Sequence, residues 1–123
     1  DPATRAYLLH LYAGKCQVCD ATFSQRNGEP FFIATHIIER KKARYLDNVA
    51  NSLCLCPEHF AKWRHGSVES PNIMDEIKNG TLSIPVTMCG EDVFIKYKEK
   101  HLADLQELIN SFKEVLEIAG SQR

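Results

Sequence analysis

Two short pieces of the chain carry the residues that can do chemistry. "CQVC", residues 16 to 19, places two thiols on one tight turn, and "CPEH", residues 56 to 59, repeats the gap with an imidazole as the second group. Zn²⁺ takes four soft or borderline ligands in a tetrahedron, and two ligands separated by two residues reach one ion from a single turn. Cys16, Cys19, Cys56 and His59 are therefore expected to form a Cys₃His centre. All four positions are protein ligands, which leaves no open position and marks the zinc as structural. Cys54 competes with Cys56, because a Cys-x-Cys on an extended strand turns both thiols the same way. Cys56 is the better placed of the two, at the start of a helix. Cys54 then reads as a small buried hydrophobe and Cys89 as a plain thiol in a hairpin turn.

The rest of the composition fits that reading. The five cysteines are an odd number and two pairs are closely spaced. With no secretory signal in view, that spacing favours metal over disulfides and a reducing, intracellular (cytoplasmic) setting. No apolar run approaches the roughly 20 residues needed to span a bilayer. At 123 residues the chain is one domain whose core is modest, so a metal staple would help it fold. The net charge of −1 hides an asymmetry. Residues 36 to 65 carry Arg40, Lys41, Lys42, Arg44, Lys62 and Arg64 against Glu39, Asp47 and Glu58, whereas the last 58 residues are acidic. The basic excess sits beside the candidate metal ligands and is either a phosphate-contacting patch or a solvated loop. The opening stretch lacks a starting Met and reads as part of a longer protein, so other domains of such a chain are expected partners.

An α+β architecture follows from the patterning. Asp1 and Pro2 start a helix over residues 1 to 15, with Gly14 at its end. "FFIATHII", 31 to 38, is β-prone, and "NSLCLC" is a second extended piece. Pro57 and Gly66 bracket a short helix, and a further one begins near Ser70 and Pro71 and ends at Gly80. "TLSIPVTM" and "DVFIKY" alternate in polarity and predict a β-hairpin, with Pro85 implying an edge strand. A long helix runs from about 99 to 118, with Leu102, Leu105, Leu108, Ile109, Phe112, Val115 and Leu116 forming one apolar stripe for core packing. Residues 16 to 66 would form the core of the domain, and 67 to 123 its supporting layer.

Once the zinc ligands are set aside, His36 and Asn51 remain. The order is a CxxC turn, a strand ending in His36, a basic loop, Asn51, then Cys-x-x-His opening a helix. Through "CQVC", "ATHII", "NSLCLCPEH" and "FAKWRHG", this resembles the HNH endonuclease family in its zinc-stapled form, over about residues 16 to 66. The resemblance implies a ββα-metal (His-Me) finger that acts on nucleic acid, with DNA as the first expectation. By that resemblance His36 matches the general base and Asn51 the residue that orients it. Phosphodiester hydrolysis does need a base near neutral pKa, and one divalent cation (Mg²⁺, Mn²⁺ or Ni²⁺) to stabilise charge on the phosphate. The family draws ligands for that second cation from positions held here by Thr35, Phe60 and Arg64, none of them a good cation ligand. His65 falls one residue late, about 140° around the helix from Phe60.

The expectation is thus an HNH-like domain binding nucleic acid through Lys41, Lys42, Arg44, Lys62 and Arg64, with cleavage impaired or lost. Two alternatives stay open. One is an active nuclease with an unusual metal shell that uses His65 or Glu58. The other is a zinc-stapled protein-interaction module. Trp63 would either stack on a base or close a small core.

Overall fold

The computed structural model describes residues 1–38 and 48–121, with side chains described through residue 111. The loop carrying Lys41, Lys42 and Arg44 lies outside the described residues, as do the side chains of Phe112, Val115 and Leu116. Helices α1 (Pro2–Tyr12), α2 (Pro57–His65), α3 (Ile73–Lys78) and α4 (Glu99–Ser121) combine with two small antiparallel sheets. The first sheet pairs β1 (Ile33–His36) with β2 (Ser52–Leu55). The second has the order β3 (Val68–Glu69), β4 (Ser83–Met88), β5 (Glu91–Lys96). The α+β expectation holds at this level.

Helix α1 begins where the sequence says it should. The Asp1 carboxylate accepts from the Ala3 N–H and the Thr4 hydroxyl, both at 3.1 Å, and Pro2 occupies the first turn. It ends because Ala13 (φ 54°) and Gly14 (φ 78°) turn left-handed. A side chain at Gly14 would come within 2.7 Å of the Pro30 Cβ, so the approach of the following loop needs glycine there. Leu8 and Tyr12 pack against Phe32 and Cys54. Arg5 lies over the Phe32 ring at 4.2 Å and donates to the Phe32 carbonyl.

Strand β2 is buried at all four positions because it is covered on both faces. Cys54 faces the small α1 cluster, while Leu53 and Leu55 join the main core with Ile84, Val86, Met88, Ile95, Leu102, Leu105 and Ile109. That is the two-residue period of a strand carried into two different cores.

Several boundaries differ from the sequence reading. Asn51 closes a 3₁₀ turn (Val49–Asn51), capped by Asn48 accepting from the Ala50 N–H, rather than starting the strand. Helix α3 starts at Ile73, and α4 runs on to Ser121. Pro85 sits on the middle strand of its sheet, not on an edge strand. The short β3, which alternation could not reveal, pairs only with Thr87 and Met88. Pro85 lies beyond its reach and pairs on one side only, with Phe94, so no ladder bond is lost.

One buried polar residue interrupts the stripe of α4. His101 is completely buried. Its Nε2–H donates to the Ala50 carbonyl at 3.0 Å, an assignment that follows because a carbonyl can only accept. Nδ1 then accepts from the Tyr12 hydroxyl at 2.6 Å, and that hydroxyl accepts from the Lys98 N–H. Tyr7, Tyr12 and Tyr97 meet the imidazole edge-on. Burial pushes His101 from 6.5 down to about 4. The unfolded chain therefore takes up this proton before the folded one does. The stability it contributes is complete above about pH 6.5 and lost as pH falls to about 4, some ~3 kcal/mol in all. In urea unfolding, His101→Gln is expected to be less stable than wild type at pH 7, and the gap should narrow steadily towards pH 4. A gap that stays constant across this window would refute the assignment.

Candidate metal centre and the adjoining strand end

The turn after α1 and the first turn of α2 meet across β2. Cys56 is the N-cap of α2 and accepts from the His59 N–H at 3.5 Å, while the Cys16 sulfur accepts from the Val18 N–H at 3.4 Å. These local turns aim each pair of donors at one point. The three sulfurs and one imidazole nitrogen lie within 4.8 Å of one another. The edges of the polyhedron can be checked. A tetrahedral zinc with Zn–S of about 2.3 Å and Zn–N of about 2.0 Å gives S···S edges near ~3.8 Å and S···N edges near ~3.5 Å. Cys19 Sγ and Cys56 Sγ are 3.8 Å apart, and His59 Nδ1 lies 3.3 Å from Cys56 Sγ and 3.7 Å from Cys16 Sγ. The residues present fit a metal ion of this size, bound through Nδ1 of His59.

The electrostatics point the same way. Burial pushes the His59 imidazole below its usual value, which favours the neutral form that ligates. Desolvation pushes the Cys19 thiol up to about 11, and the nearby Cys16 and Cys56 thiols push in the same direction, against one backbone hydrogen bond. A cation beside Cys19 would supply the charge that favours its thiolate. Cys54 is outside the cluster; burial pushes its thiol up to about 12, and it behaves as the small hydrophobe expected of it. It lies in the paired strand, whereas Cys56 follows the last paired residue and caps α2.

A residue that the sequence reading passed over holds this centre to the rest of the protein. Gln17, between the two cysteines of the turn, is buried. Its backbone N–H donates to the Cys54 carbonyl (2.8 Å), and its Oε1 accepts from the Cys54 N–H (2.9 Å). Its Nε2 donates to the Lys96 carbonyl (3.0 Å), and its own carbonyl accepts from the Lys96 N–H (2.9 Å). One side chain thus sews the turn to β2 and to the end of β5. A polar residue inside a CxxC was the available signal, but nothing in the sequence names its partners.

Beside the centre, β1 and β2 run antiparallel with His36 opposite Ser52. Asn51, immediately before Ser52, is completely buried. Its Oδ1 accepts from the Ile38 N–H and its Nδ2 donates to the Ile38 carbonyl, both at 2.8 Å. Asn51 therefore grips the backbone two residues after His36. Trp63 of α2 donates from Nε1 to the His36 carbonyl at 3.0 Å and packs against the main core, which is the core-closing role.

No family model, curated protein or solved structure matches the chain.

The remaining expected site residues divide. Thr35 is buried in β1 and Phe60 packs against the main core. Arg64 and His65 are exposed on the last turn of α2. His65 is not part of the four-residue cluster, which is the one group with metal-ligand spacing among the described residues. Lys62 is drawn to Glu58 at 3.4 Å and Glu91 at 3.7 Å, so its charge is shared with two carboxylates. No helix among the described residues is long and apolar enough to cross a membrane.

Two measurements check the centre. Elemental analysis of chain purified without chelator is expected to give one zinc per chain, and Cys56→Ala to give none. Asn51→Asp keeps the acceptor for the Ile38 N–H but sets a carboxylate oxygen against the Ile38 carbonyl. It is expected to cost about 1–3 kcal/mol in denaturant unfolding with zinc still bound. Zinc loss in that variant would mean that the strand end and the metal centre are a single unit.

Proposed function

We propose that the chain is a zinc-stapled ββα module of the HNH type that binds nucleic acid, DNA first, and in which metal-dependent cleavage is weak or lost. The observation that carries the reading is the double hydrogen bond from Asn51 to the Ile38 backbone, just beyond His36. A buried asparagine that fixes the backbone two residues after a strand-end histidine supports the reading in which Asn51 holds His36 in place. The antiparallel β1–β2 pair, with α2 opening on Cys56 and His59, supports the same layout. The zinc assignment rests on the donor set and on the tetrahedral edge lengths. The weakness of cleavage follows from side chains that make poor ligands: a buried Thr35, a core-packed Phe60 and a cationic Arg64. His36 would serve as the base for water if cleavage persists.

Nucleic-acid contact falls to the basic side chains around the module. Arg64 is exposed, whereas Lys62 is already paired, so Arg64 is the stronger contributor of the two. Lys41, Lys42 and Arg44 complete the proposed set. Affinity for duplex DNA should fall steeply as salt rises, and Arg64→Ala should lower the log–log salt slope by about 1, with a smaller change for Lys62→Ala. Plasmid incubated with Mg²⁺, Mn²⁺ or Ni²⁺ should show little nicking. Robust nicking that His36→Ala abolishes would replace this reading with an active nuclease. Absence of binding to DNA and RNA at low salt would leave a protein-interaction module.

A further inference from the structure

We infer that Cys19 is a site of oxidative modification, where attack by a peroxide ends in a disulfide to Cys56 and expels the metal. The inference rests on the zinc centre proposed above. Three of the four ligand residues are shielded: Cys16 is 0% exposed, Cys56 8% and His59 7%. Cys19 is exposed. A solvent-borne oxidant therefore meets one sulfur of the centre before the others, and a thiolate that solvent can reach is the form that reacts.

The partner for the second step is already in place. The Cys56 sulfur lies 3.8 Å from that of Cys19, and the pair needs only to close to about 2.05 Å to bond. The Cys19 thiolate attacks one peroxide oxygen, giving the sulfenic acid and hydroxide. The Cys56 thiolate then attacks the sulfenic sulfur and expels a second hydroxide. In sum, two thiolates and one hydrogen peroxide give one disulfide and two hydroxide ions, with both sulfurs oxidised and the peroxide reduced. The ion keeps only Cys16 and His59, too few to close a tetrahedron, and passes to solvent. The new bond still ties the turn to the first turn of α2, so the two halves of the centre stay together and a dithiol reductant can restore the site.

The other cysteines give internal controls. Cys54 is buried among Leu8, Tyr12 and Phe32, away from any oxidant in solvent. Cys89 is exposed in the β4–β5 turn but outside the cluster, so its oxidation releases no metal.

The test treats the zinc-loaded chain with hydrogen peroxide, follows released zinc with a chromophoric chelator, and maps disulfides by peptide mass spectrometry. Zinc release in step with a Cys19–Cys56 bond is expected, together with recovery after dithiol reduction and zinc addition. Cys19→His retains a four-ligand set without the exposed sulfur and should slow the release about ten-fold or more. Cys89→Ser should leave it unchanged. Release from Cys19→His at the wild-type rate, or a bond between Cys16 and Cys19 instead, would overturn the inference. A chain that binds no zinc would overturn both the metal assignment and the metal release inferred from it, whereas a zinc-loaded chain that keeps its zinc under peroxide would overturn the release alone.

Discussion

Most of the described structure is organised by the convergence of two turns on one point. The Cys16–Cys19 turn and the first turn of α2 lie far apart in sequence, and both contribute to the main core through Cys16, Val18, Cys56 and Phe60. There four potential ligand atoms come within 4.8 Å of one another, and N–H···S bonds pre-aim each pair. A metal ion held there would take the place of a larger core in so small a domain. Strand β2 runs between the two turns and inherits its position from both.

Two buried polar side chains spread that constraint outward. Gln17 carries it from the turn to β2 and to the end of β5 through four hydrogen bonds. His101 ties the end of α1, the 3₁₀ turn before β2 and the start of α4 into one chain of donors and acceptors. Each is satisfied at both ends, which is the condition under which a buried polar group specifies a structure rather than weakening it. The small α1 cluster and the main core are two apolar bodies with β2 between them, and these hydrogen bonds set how the elements around them meet.

The functional reading depends on the same frame. Asn51 can reach the backbone of Ile38 because β1 and β2 are locked in register with His36 opposite Ser52. Trp63 donates to the His36 carbonyl. The strand end bearing His36 is thus tied by the Asn51 amide and the Trp63 indole.

The four residues of the candidate metal cluster, the helix starts at Pro2 and Pro57 and the β4–β5 hairpin were legible in the sequence. Each is a local matter: a two-residue gap that reaches one ion, a proline whose missing N–H costs nothing in a first turn, an alternation of polarity across a tight turn. His36 and Asn51 were legible as a pair only through resemblance, and what Asn51 bonds to could not be read. The two-residue strand β3 was too short to show alternation, and for that reason the middle position of β4 was misjudged. The roles of Gln17 and His101 were decided by tertiary structure alone. A buried polar side chain takes its meaning from partners that lie up to 89 residues away along the chain, and no local pattern encodes which backbone groups will be left needing them.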